Sequence, residues 1–234
     1  MSPSHSVLCG AMRLASGLCL LLSLAACGTH PLPPDWQVEA QSGTDRAVAA
    51  YLQGHRRVAE LEFDRAGAAL SATAQPEVLA QGELLRCAVR LASLELGPCA
   101  AFVRLRPDAT PAQQAYADYL AGARLQAAQQ TLLPVVHQAI AKQLAGTGWD
   151  DAPLLARLAD AEPLTRLVAA AVVFQAGRAS PALVTLAVDT ASAQGWRRPL
   201  LAWLGVQARL AELAGQTDEL QRLRRRMDLL PASD

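Results

Sequence analysis

The chain has 234 residues, enough for one or two domains with a sizeable core, and balances 21 basic against 21 acidic side chains. A neutral balance with pI near 6.9 supplies no global field for a polyanion, so nucleic acid is excluded as an expected partner. Apolar residues make up 52% but aromatics only 4%, and the apolar share is mostly Ala, Leu and Val. Ala and Leu favour helix, and few stretches alternate apolar with polar, so the composition predicts an all-α chain. Of the basic residues only Lys142 is a lysine.

The first element is the apolar run 14–26, "LASGLCLLLSLAA", preceded by Arg13. As a helix it spans about 20 Å, short of the ~30 Å hydrocarbon core, and it ends in small residues, which is the layout of a signal peptide. Its last residues, Leu24-Ala25-Ala26-Cys27, resemble the lipobox of bacterial lipoproteins. That resemblance implies diacylglycerol on the Cys27 thiol, cleavage before it and acylation of the new amino terminus. Gly28, in place of the Asp that retains enterobacterial lipoproteins in the inner membrane, implies the inner leaflet of the outer membrane, facing the periplasm. Met12-Arg13-Leu14 would begin a more typical signal than Met1 does, so residues 1–11 read as a start-site overcall. The expected organisation is a signal peptide over 1–26, a lipidated Cys27 with a Pro-rich tether over 27–43, and a folded domain over 44–234. An extended tether of that length reaches up to ~50 Å, with Trp36 read as a linker aromatic or an interfacial one.

Cys9 and Cys19 leave with the signal, and lipid consumes Cys27, which isolates Cys87 and Cys99. Gly97-Pro98 between them signals a turn. A disulfide requires the first helix to end near Ala92, bringing the Cα atoms within ~7 Å; a helix running on to Leu96 leaves two free thiols instead. No metal is expected, because His30, His55 and His137 stand at no ligand spacing. No cofactor is expected either.

Beyond residue 44 the chain is marked by helix starts and stops. Thr110-Pro111-Ala112-Gln113 reads as a capping box, Ser180-Pro181 as a cap followed by proline, Asp150-Asp151 as a cap with Pro153 in the first turn, and Thr217-Asp218-Glu219 as a cap with acids. Gly146, Gly177, Gly195 and Gly215 each follow an apolar-periodic run and read as stops. Eight to ten helices are predicted. "LGVQARLAELAGQTDELQRLRRRMDLLP" resembles a tetratricopeptide unit, as does "LVAAAVVFQAGRASPALVTLAVDTASAQGW", with turn glycines 38 residues apart against about 34 in that family. The expected fold is a helical-hairpin array, a TPR-like α-solenoid; the alternative is an irregular helical bundle.

The motifs of nucleophile elbows, phosphate loops, zinc proteases and dinucleotide folds are all absent from the sequence. His55 stands five and seven residues from Glu60 and Glu62, neither of which stacks beside it on a helix. His137 lies on an apolar helix and reads as a core histidine. Arg222, Arg225 and Arg226 share a helix face, either a solvated surface or a patch for an anionic partner, which Arg197-Arg198 extend only if the last hairpins stack. The favoured function is a non-catalytic, membrane-anchored scaffold or adaptor binding another envelope protein, with no small-molecule ligand expected. The competing one is a periplasmic enzyme or small-ligand carrier on an all-α scaffold.

Overall fold

The computed structural model describes residues 33–230, and among these every regular element is helical: twelve α-helices, no strand. The signal-like run and Cys27 lie outside the described residues.

Helix α1, Asp35–Gln53, and α2, Arg56–Ser71, form an antiparallel hairpin across Gly54 and His55. Gly54 turns the chain at φ +87°, a conformation that an L side chain resists. The two helices approach closely at Gly43, where an added Cβ would stand 3.3 Å from that of Ala66. Ala47 and Ala59 are fully buried between them, with Tyr51, Leu52 and Phe63 completing the seam.

This hairpin corrects the expected domain boundary. Residues 35–43 are helical rather than tether, with Ala40 and Gly43 buried. Asp35 suits the positive end of a first helical turn, and the Ser42-Gly43 pair that reads as flexible is the contact point with α2. The folded unit therefore begins at Asp35, and Trp36 belongs to it.

Helix α3, Pro76–Ala92, packs on α2 and is followed by α4, Ala100–Leu105, and α5, Pro111–Leu120. It stops at Ala92 through a double backbone closure: Leu94 N–H donates to the Leu91 carbonyl and Glu95 N–H to that of Arg90. Leu94 itself takes φ +58°, a position usually held by glycine. The capping box at α5 forms as read, Thr110 Oγ1 accepting from Gln113 N–H and the Gln113 side chain accepting from Thr110 N–H.

Short helices α6, Ala127–Gln130, α7, Val135–Ala145, and α8, Asp151–Ala159, lead to α9, Pro163–Gln175. Asp150 caps α8 through Ala152 N–H. All seven residues from Leu167 to Val173 are buried, so α9 is apolar around its whole circumference and forms the centre of the domain. It packs against α3, α5, α7 and α8 on the amino-terminal side and against α10, Pro181–Ala193, on the other. Arg166 of α9 ties these together: its guanidinium donates to the carbonyls of Leu158, Ala159 and Ala161 at the end of α8 and to Thr190 Oγ1 of α10.

The final array is α10, α11, Arg197–Leu213, and α12, Thr217–Asp228, each packed on the next. Ser180 caps α10 as read, and Gly177, Gly195 and Gly215 take positive φ at the turns. Gly146 also ends its helix, but with extended backbone. At α12 the expected cap shifts by one residue: Gln216 precedes the helix, and Thr217 is its first residue. The chain is thus an all-α array of helical hairpins in which two pairings, α3 with α9 and α1 with α11, join helices far apart in sequence. No described helix is long and apolar enough to cross a membrane.

Candidate functional site

Helix α3 carries a stripe of Val78, Gln81, Gly82 and Leu85 at helical spacing. On one side of this stripe the first turns of α1 supply Trp36, Gln37, Ala40, Gln41 and Thr44, enclosing a cleft of about 520 Å³. On the other, Ala112, Gln113 and Tyr116 of α5 and the segment Leu132–Pro134 enclose a second of about 470 Å³. The two share Gln81, Leu85 and Gln113 and so form one run along α3. Gly82 opens the floor: a Cβ there would fall 2.7 Å from Leu70 Cδ1.

Of the residues lining this run only Glu77 is charged, and Gln113 crosses from α5 to donate to the Glu77 carbonyl oxygen at 2.8 Å. An apolar floor with amide side chains along its edges favours an apolar segment that carries hydrogen-bonding groups. Beneath Tyr116 lies His137, buried, with Nδ1 3.0 Å from the Tyr119 hydroxyl and its ring 5.7 Å from that of Tyr116. Burial lowers the His137 pKa to about 4, which keeps the imidazole neutral, and burial also pushes the hydroxyls of Tyr116 and Tyr119 up. His137 is a core histidine, as its apolar helix suggests.

A second feature lies at the far end of α3. Cys87 and Cys99 are joined by a disulfide with Cα atoms 5.8 Å apart, which the end of α3 at Ala92 makes reachable. Both are half-buried and line a cavity of about 390 Å³ together with Glu83, Arg86, Arg90 and Glu95. Glu95, on the loop that the disulfide closes, accepts from Arg90 Nε at 3.1 Å and from Arg198 of α11. The Arg198 guanidinium in turn stacks on the Tyr51 ring at 4.3 Å, and its neighbour Arg197 donates from Nε to the Gln53 carbonyl at 2.7 Å. Burial raises the Glu95 pKa, but the nearby Tyr51 hydroxyl and the Arg198 and Arg90 guanidiniums that donate to it outweigh burial and hold the carboxyl below its ordinary range. The same surroundings, burial first and then Glu95, push the Tyr51 phenol up.

These contacts settle where the basic residues go. Arg197 and Arg198 turn toward α1 and the α3–α4 loop, so they do not extend the carboxyl-terminal patch. Within that patch Arg222 is exposed but bound through Nε and one terminal nitrogen to Glu219, both at 2.8 Å; Arg225 is exposed and Arg226 half-buried. Near His55, which precedes α2, Glu60 pairs with Arg86, while Glu62 is buried between Arg46 and Arg65. Among the described residues no group of three His, Cys, Asp or Glu side chains could hold a metal ion.

The residues of the cleft are those sequence reasoning passed over. Trp36, Ala40, Gly43 and Ala47 recur at four, three and four residues, a helical signal hidden by the neighbouring prolines and by Ser42-Gly43. Set against protein-family models, curated proteins and solved structures, the chain matches none.

Proposed function

We propose that this chain is a lipid-anchored envelope protein whose helical array holds an apolar segment of a partner protein in the cleft along α3, without catalysing a reaction. The carrying observation is that cleft: continuous, nearly uncharged, and built on helices α1, α3 and α5. Elements of this kind hold a recognition surface in one geometry better than loops do. The lipobox resemblance at Cys27 supports attachment at the inner leaflet of the outer membrane, and the tetratricopeptide-like hairpins near the carboxyl end support a scaffold role.

Two experiments test the two halves. A photo-crosslinking residue at Gln81 is expected to capture one discrete protein in intact cells, and the same residue at exposed Asp189, on α10, is expected to capture none. Equal capture from both positions removes the cleft from the proposal. Cys27→Ser is expected to abolish incorporation of a fatty-acid analogue; retained labelling refutes the anchor.

The cleft volumes also fall within the roughly 300–1,000 Å³ typical of small-ligand sites, which favours a periplasmic carrier as the second reading. Native mass spectrometry of protein taken directly from cells separates the two, since a carrier retains a small apolar adduct and a scaffold does not.

A further inference from the structure

We infer that the Cys87–Cys99 disulfide is a thiol-exchange site, opened by a dithiol, and that its opening releases the clamp between α11 and α1. The inference rests on neither the anchor nor the occupant of the cleft.

Access comes first. Both cysteines line a cavity of about 390 Å³ and are only half-buried. Cys99 is the approachable one, standing at the start of α4 between exposed Pro98 and Ala100, whereas Cys87 sits on α3 against buried Leu84, Ala88 and Leu91. A thiolate of an external dithiol attacks Cys99 Sγ, and a mixed disulfide forms as the Cys87–Cys99 bond breaks. Cys87 leaves as a thiolate one helical turn from Arg90, with Glu83 one turn the other way, and takes up a proton. The second thiol of the reductant then attacks its own sulfur of the mixed disulfide, releasing Cys99 as a thiol. The dithiol is oxidised to a disulfide, and two electrons pass to the cysteine pair.

Coupling follows from what the closed loop carries. Residues 93–98 are held at one end by the carbonyls of Arg90 and Leu91 and at the other by the disulfide. Leu94, whose N–H makes one of these bonds, is kept in the left-handed region, which a leucine leaves when it is free to. Glu95 follows directly and is the group that joins Arg90 on α3 to Arg198 on α11. Arg198 lies over Tyr51, and Arg197 holds the last carbonyl of α1 at Gln53. When Cys99 is freed, Leu94 relaxes, Glu95 is no longer positioned, and the contacts of Arg197 and Arg198 with α1 lose their backing.

The test uses the full-length oxidised protein, dithiothreitol, thiol trapping and hydrogen exchange. Reduction is expected to proceed in proportion to dithiothreitol concentration and to be unaffected by low urea that speeds global unfolding. After reduction, amides of Ser93–Leu96 and of Leu200–Ala202, the first hydrogen-bonded amides of α11, are expected to exchange ~10-fold faster or more, while those of α9 keep their protection. A reduction rate that saturates at the unfolding rate overturns the exchange site. Unchanged protection at Leu200–Ala202 overturns the coupling, and loss of protection throughout α9 shows a structural staple instead. Glu95→Gln, tested with the disulfide intact, is expected to loosen the same α11 amides; if they stay protected, Glu95 is not the link.

Discussion

Stability is expected to fall by about 2 kcal/mol between pH 7.5 and pH 5, before most carboxylates titrate, and His137 is the cause. Its folded-state pKa is depressed to about 4 from an ordinary value of 6.5, because burial disfavours the imidazolium. Below pH 6.5 the unfolded chain takes up a proton at this position that the folded chain refuses, so the unfolded state is favoured as pH falls. The loss is complete only about one pH unit below the folded-state pKa, at roughly 3 kcal/mol. Glu95 acts in a lower window: its folded pKa is depressed below 4.5, so its contribution is intact above that pH and is lost on further acidification. Urea titrations across this range check the slope. His137→Gln keeps a polar partner for the Tyr119 hydroxyl and is expected to flatten the curve between pH 7 and 5. An unchanged slope in that variant assigns the proton to another group.

Trp203→Ala is expected to cost about 3–5 kcal/mol, among the largest single-residue effects in the domain. The side chain is fully buried and meets Phe174 of α9 edge to face at 5.8 Å. Its Nε1 also donates to the Ala92 carbonyl at 3.1 Å, satisfying a group left over where α3 ends. The alanine variant therefore opens a cavity at the junction of α3, α9 and α11 and strands a buried acceptor. Trp203→Phe separates these effects: it restores most of the volume but not the donor, and is expected to cost about 1–2 kcal/mol. The midpoint of urea unfolding should move with little change in slope if the denatured ensemble is untouched. A loss below about 1 kcal/mol in the alanine variant means the junction collapses onto the space left behind.

The parts of the fold legible in the sequence are those set by local chemistry. Thr110, Asp150 and Ser180 cap helices because a short side-chain oxygen reaches N–H groups two or three residues on, whatever the tertiary context. Gly177, Gly195 and Gly215 end helices for an equally local reason. The stop at Ala92 carries no such mark, since Leu94 occupies the position a glycine normally holds; only the reach required between Cys87 and Cys99 pointed to it. Thr217 has the chemistry of a cap, yet the closure around Gly215 starts the helix one residue early. The candidate sites divide the same way. The cysteine pair is readable because its residues are 12 apart. The Glu95–Arg198 contact spans 103 residues, and the cleft needs three helices at once, so neither leaves a trace in any local window.

Helix α9 imposes an order on synthesis. Its partners α3, α5, α7 and α8 precede it, while α10 follows, so a helix buried on every side from Leu167 to Val173 is made before one of its walls exists. A chain stopped at Gly177 is accordingly expected to aggregate or to be degraded, in contrast to a tandem-repeat protein, where each unit leans only on its neighbours. Limited proteolysis of that truncated chain, compared with the full one, reads this directly. The same dependence makes the domain a unit of delivery: the cleft along α3 is fully supported only once the carboxyl-terminal hairpins have been translated and docked.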